Sequence, residues 1–256
     1  MVNTVAVHPR VRAVAWWPRL AAVVAAIVLW WVLTDLVAGP QSLLREFGPQ
    51  HVPGAITGLF DRGVLLPDIA VSMWRLLVGL LIAVTVGVPL GLLLGLHAAT
   101  ESAVAPVVQF LRMISPLSWA PIAVALFGIG HQPVIFLVAA ASVWPVVLNT
   151  AAGVRAIDPG LLLVARSFGA TRREQLTSVI LPAIRGPVQT GFRVGLGIAW
   201  VVLVPAEMLG VRSGLGYQIL NARDQLAYDQ VMAVIVVIGV IGFVLDSLAR
   251  AALDRR

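Results

Sequence analysis

The chain has 256 residues, of which 59% are hydrophobic and 12% charged, against about 25% charged in an ordinary soluble domain; with a mean hydropathy of +0.95 it cannot cover itself with polar surface. It has no Cys, which excludes disulfides, thiolate metal sites and thiol nucleophiles, and all 18 basic residues are Arg, so no phosphate-binding loop ending in Gly-Lys-Ser/Thr exists and any ATP hydrolysis must come from another subunit. The formal charge of +6 is assigned to Arg flanking membrane spans and facing anionic lipid, not to nucleic acid.

A bilayer core about 30 Å thick asks for roughly 20 mostly apolar residues per helical span. The apolar runs are continuous and lack a period of two, so helices are expected and a barrel is not. The expected fold is an all-α integral membrane protein of about six transmembrane helices. Residues 1–18 read as a polar arm carrying Arg10 and Arg12. The first span is expected over 19–38, with Trp16, Trp17, Trp30 and Trp31 as interfacial aromatics and Asp35 in its last turn. It reads as a retained span and not a signal peptide, because no small-residue cleavage site follows Leu33. Gly39-Pro40 ends it, and the joint to residue 67 has room for a short amphipathic helix near 53–62.

The second span is expected over 68–96, kinked at Pro89. Its Gly79, Gly87, Gly91 and Gly95 suit close packing within the molecule, with a seam between two copies as the rival reading. A third helix over 103–129 carries Pro106, Pro116 and Pro121 and should be broken. Broken membrane helices lie against protein or a watery cavity, which makes Ile114 to Pro121 a candidate pathway element. A turn at Gly128-Ile-Gly130-His-Gln-Pro133 leads into the fourth span, 134–154, with Pro145 inside. The longest basic loop, 155–186, follows, then spans over 187–209 and 230–248 separated by a Gly-rich joint. The membrane domain thus covers 19–250, with a tail over 251–256. With a cytoplasmic N-terminus, 13 Arg fall on the cytoplasmic side and 5 on the other, so the positive-inside rule puts both termini in the cytoplasm.

Local chemistry draws two helices in the 155–186 loop. Asp158 is an N-cap with Pro159 at the first helical position, and Gly169 is a stop. Thr171 and Glu174 form a capping box, so a second helix starts at Arg172 and reaches Pro182. The first helix is too apolar to stand alone in cytosol and too short to span, so it needs a protein partner or lies on the membrane surface.

In this loop the sequence resembles the permeases of bacterial ATP-binding-cassette importers. Their signature, Glu-Ala-Ala, three residues, Gly, nine residues, Ile, one residue, Leu-Pro, appears as Leu163-Val164-Ala165, Gly169, Val179 and Leu181-Pro182 with every spacing kept. Leu163 stands where the family has its acid, and the polar contact of that acid is absent. The stretches Ser72-Met-Trp-Arg75, Phe127-Gly-Ile-Gly130, Ala165-Arg-Ser-Phe-Gly-Ala170, Ser213-Gly-Leu-Gly-Tyr217 and Leu220-Asn-Ala-Arg223 are similar to the nitrate, sulfonate and taurine group. The resemblance implies a coupling helix docking on the ATPase through Pro159, Leu162, Leu163, Ala165, Arg166, Ser167, Phe168, Gly169, Ala170 and Thr171. It also implies two ATPase subunits that use ATP and Mg, a second permease copy, an extracytoplasmic binding protein, and a bacterial inner-membrane location. The chain itself is expected to bind no cofactor and to be no enzyme.

Candidates for the translocation pathway are Ser115, Pro116, Trp119, Pro121, Trp200 and Glu207. Each has a plainer reading. Trp119 and Trp200 fill packing space by default, and Glu207 either gates or lines the route, or reaches the interface or pairs with Arg212. Arg75 and Arg193 are expected to snorkel from span ends. His8, His51, His97 and His131 are scattered without metal spacing, and no GxSxG elbow offers a hydrolase. The rival function is a secondary transporter or channel driven by an ion gradient. Such proteins use intramembrane carboxylates and inverted repeats, and this chain offers mainly Asp35 and Glu207 with no internal repeat.

Overall fold

The computed structural model describes residues 17–253 except 38, 40, 41 and 210. Arg10, Arg12, Trp16 and His8 of the N-terminal arm, Pro40, and Arg255 and Arg256 of the tail lie outside the described residues. Every regular element among the described residues is helical. α1 (Trp17–Trp31) runs on through a π turn, Val32–Leu36, and a 3-10 turn, Leu43–Phe47, leads to α2 (Val52–Asp61). α3 (Leu65–Leu96) is 32 residues long, about 48 Å at 1.5 Å per residue, and continues through Pro89. α4 (Ala98–Met113) follows after His97 alone, a tighter joint than the apolar pattern indicated.

The third apolar segment is broken, as its prolines require. Pro106 sits inside α4 without ending it, whereas Pro116 opens a 3-10 turn, Pro116–Trp119, which leads into α5 (Ala120–Phe127). The chain bends by 85° between α4 and this second piece. Gly128 and Gly130 take positive φ, +73° and +152°, values an L residue rarely adopts, and turn the chain into α6 (His131–Arg155).

α6 is the central helix: α3 packs along one flank and α10 (Arg185–Met208) along another. Its contact with α3 is made by the glycines. A Cβ on Gly79 would lie 2.5 Å from Val138 Cγ1, and one on Gly91 would lie 2.5 Å from Thr150 Cβ. The small-residue stripe therefore serves packing within the molecule. α12 (Tyr228–Leu253) is peripheral, packing on α10, α2 and α11 (Leu215–Asp224). Between α6 and α10 lie α7 (Pro159–Ser167) and a continuous helical stretch of α8 (Arg172–Glu174), a π turn Gln175–Ile180 and α9 (Leu181–Ala183).

α3, α6, α10 and α12 are each long and apolar enough to cross a bilayer, and the bent α4/α5 pair makes a fifth if it counts as one span; Leu20–Leu36 is a shorter apolar helix. Large apolar side chains such as Leu77, Leu81, Phe110 and Phe243 are exposed on these helices. That surface would drive aggregation in water and suits lipid.

Candidate functional site

The 155–186 loop is wired by short-range bonds. The Asp158 carboxylate accepts the Gly160 N–H at 2.8 Å, capping α7 with Pro159 in its first turn. Gly169, at φ +78°, closes the helix, and the Ala170 N–H reaches back to the Ala165 carbonyl at 3.0 Å, the left-handed stop at which glycine is favoured. Thr171 and Glu174 form the reciprocal capping box. Glu174 Oε2 accepts the Thr171 N–H at 2.7 Å and its hydroxyl at 2.8 Å, while the Glu174 N–H donates to Thr171 Oγ1 at 3.3 Å. The Thr171 backbone N–H first, and its hydroxyl second, hold the Glu174 carboxyl below the usual carboxylate range. Gln175 is buried beneath the turn, its amide donating to the Ala170 carbonyl at 2.9 Å.

The face of this knob is apolar. Leu161, Leu163 and Val164 are more than half exposed and Phe168 is 87% exposed. Leu162 turns inward, packing near Ile180 and Ile184, whereas Ala165, Ser167, Ala170 and Thr171 shape the rim.

A second feature is a half-open cavity of about 600 Å³ lined by α4, the Pro116–Trp119 turn, α6 and α10. Of the candidates for a pathway, Pro116 and Trp119 line it, whereas Ser115, Pro121, Trp200 and Glu207 do not. Trp200 instead joins two core clusters and presses on Gly242.

Glu207 belongs to a buried polar cluster at the other end of α3. Arg75 is 1% exposed and Glu207 fully buried, with Arg75 Nη1 2.7 Å from Glu207 Oε1. Arg75 also donates to the Ser213 carbonyl and hydroxyl at 2.8 Å each, and its Nε donates to His131 Nδ1 at 3.2 Å. The Ser72 hydroxyl lies 2.9 Å from both Glu207 oxygens and accepts the Leu215 N–H. Gly216 N–H donates to Glu207, and Gly214 N–H to Asp68 at 2.7 Å. Four backbone or side-chain donors thus converge on two carboxylates, and the chain segment 213–216 is stapled to α3 and α10.

The family model described as "Binding-protein-dependent transport system inner membrane component" matches residues 87–256. The taurine transport system permease protein of Escherichia coli (strain K12) is 33% identical over 264 residues, covering 96% of this chain and 93% of that one. The chain belongs to this family. The bicarbonate transport system permease protein of Synechococcus elongatus (strain ATCC 33912 / PCC 7942 / FACHB-805) is 33% identical over 236 residues, 89% of this chain and 84% of the other. The MetNI methionine ABC transporter, in inward-facing conformations, matches in fold with a TM-score of 0.61 at 21% identity, over 75% of this chain and 93% of that chain. The protein is accordingly an ABC transporter permease, and its relatives are transport proteins and not enzymes.

In this permease the sequence reading of two charged residues is corrected. Arg75 does not snorkel, because its charge is met in the interior by Glu207. Glu207 pairs with Arg75 and not with Arg212. Arg193, by contrast, stays partly exposed, 3.7 Å from Asp246. A signal for the cluster was present: Asp68, Ser72 and Arg75 recur at i, i+4 and i+7, one polar stripe on an apolar helix.

Proposed function

We propose that this chain is the membrane half of an ATP-driven importer in a bacterial inner membrane. Two copies pack around a shared route, and each presents residues Pro159 to Thr171 to one of two ATPase subunits. ATP and Mg are used by those subunits alone. A small solute, an anion such as nitrate, a sulfonate or taurine, is handed over by an external binding protein. Both termini and the α7 knob lie in the cytoplasm, in keeping with the Arg bias.

The observation that carries the reading is Phe168, 87% exposed beside a glycine-closed helix whose apolar side has no cover among the described residues. A large ring held out in water is unfavourable by about 1.5–3 kcal/mol relative to burial, and its use is to fill a pocket on another protein. Closing of the ATPases on ATP then moves the knobs, and the helices packed on α6 rock with them. The cavity of about 600 Å³ serves as part of the route, with Pro116 and Trp119 on its wall; the prolines at the α4/α5 break keep backbone and ring shape fixed there.

Co-purification tests this. Phe168→Asp, or Gly169→Val, should leave membrane insertion intact and abolish capture of the ATPase encoded with this permease. Unchanged capture in both variants would count against docking through α7.

A further inference from the structure

α1 packs on little beyond the turns that follow it, and a shallow groove of about 350 Å³ opens between it and the loop leading to α2. Ile27, Val28 and Trp31 form the floor, each about half exposed, and Pro49 and Gln50 form the rim. Trp30 fixes the loop to the helix by donating its indole N–H to the Phe47 carbonyl at 3.0 Å. Ile27 and Trp31 stand one turn apart, and the π turn sets Asp35 one turn further along that side, about 12 Å of rise from Ile27. The groove thus runs from aliphatic through aromatic to charged surface, the order in which a bilayer passes from hydrocarbon to interface to headgroup.

The charged end is half used. Asp35 Oδ2 accepts the Gln50 amide at 2.8 Å and the Thr34 hydroxyl at 3.3 Å. Gly48 lets Gln50 fold back in this way, since a Cβ there would lie 2.5 Å from Gln50 Nε2. Asp35 Oδ1 has only Arg45 Nε, at 3.9 Å, which is beyond hydrogen-bond reach. Arg45 is 47% exposed, and Asp35 is its one side-chain partner among the described residues. An open carboxylate oxygen and an open guanidinium therefore stand side by side at the polar end of an apolar groove. A guanidinium gives a phosphate two parallel bonds, and a primary ammonium donates to a carboxylate.

We infer that this groove is a binding site for a phospholipid with a primary-ammonium headgroup, such as phosphatidylethanolamine. Its phosphate sits on Arg45, its ammonium on Asp35 Oδ1, and one acyl chain lies along Trp31, Val28 and Ile27. The inference needs the membrane location of the chain and is independent of which solute is carried. A choline headgroup has no N–H to give to Oδ1. A glycerol headgroup brings a net negative charge to a site whose own two charges cancel, and leaves Asp35 without a second cation.

The test is native mass spectrometry of the full-length permease in detergent, titrated with phosphatidylethanolamine, phosphatidylcholine and phosphatidylglycerol of identical acyl chains. The first bound lipid should be phosphatidylethanolamine, held about fivefold more tightly than either of the others, the worth of one partly exposed ion pair. Asp35→Asn should bring phosphatidylethanolamine down to the level of phosphatidylcholine and leave phosphatidylcholine where it was. Asp35→Glu keeps the charge and should keep the preference, which separates loss of charge from loss of fold. Arg45→Gln should weaken all three lipids, because the phosphate is common to them. Three lipids bound equally by the parent would mean an annular lipid only and would overturn the inference. So would phosphatidylglycerol binding as tightly as phosphatidylethanolamine, a preference that survives in Asp35→Asn, or an Arg45→Gln chain that binds all three like the parent.

Discussion

The two ends of the permease use polar chemistry in opposite ways. At the Arg75 end, groups more than 130 residues apart in sequence meet in the interior, as in the Arg75 to Glu207 and Ser72 to Leu215 bonds, and Asp68, Arg75 and Glu207 are hidden. At the α7 end, the bonds join residues two to nine apart, as in Asp158 to Gly160 and Arg166 to Gln175, and the apolar side chains are left outside. The first arrangement exists only when the whole fold exists. The second is preassembled by its own sequence and free to take a partner, which is what a docking element needs.

The contrast can be broken by substitution, and the effects should fall in a definite order. Arg75→Met leaves the Glu207 carboxylate buried without its cation, a change that costs about 3–5 kcal/mol. Its melting temperature and yield in detergent should fall sharply, and adding Glu207→Leu should recover part of the loss; a single variant as stable as the parent would show that the pair does not hold the fold. Next, Gly91→Val drives a side chain into Thr150 and the Val147 carbonyl. Overpacking of this kind costs about 1–3 kcal/mol, visible in the same melt. Phe168→Asp should shift stability by no more than about 0.5 kcal/mol while removing ATPase capture; a melt lowered as far as that of Gly91→Val would mean that Phe168 is a core residue.

The smallest effect sharpens the local end. The Glu174 carboxyl is held low by Thr171, so its contribution is present above the ordinary carboxylate range and is lost as pH falls through the lowered value in the folded chain. Thr171→Ala should raise that value toward the ordinary one. The difference in amide-exchange protection over residues 171–175 between parent and variant should be largest at neutral pH and shrink in acid to the part that comes from the Thr171 hydroxyl accepting the Glu174 N–H. A difference that is constant with pH would exclude the capping box as its source.

The same contrast explains what the sequence disclosed. The Asp158 cap, the Gly169 stop and the Thr171/Glu174 box were legible because each partner lies within a few residues of the other, and the break near Pro116 was legible because proline acts on its own backbone. The π turn at Gln175–Ile180 was not, since no local residue type demands it. Arg75 was misplaced for a related reason: snorkelling is the ordinary course of a lone arginine near a span end, and only the fold brings Glu207 and Ser213 to it. The stretches Ser72-Met-Trp-Arg75 and Ser213-Gly-Leu-Gly-Tyr217 were visible as separate motifs, and their joining is a tertiary fact. Trp200 packs against Gly242, between α10 and α12, a contact that the sequence pattern does not disclose.

The absence of cysteine from the chain makes the sidedness of α7 directly measurable. A single Phe168→Cys substitution gives one thiol on the knob, to be probed with a membrane-impermeant maleimide. With α7 in the cytoplasm, the thiol should show no labelling in intact cells, full labelling in inside-out vesicles stripped of the ATPase, and protection when the ATPase is restored. Labelling in intact cells, with the thiol exposed to the outside, would contradict it.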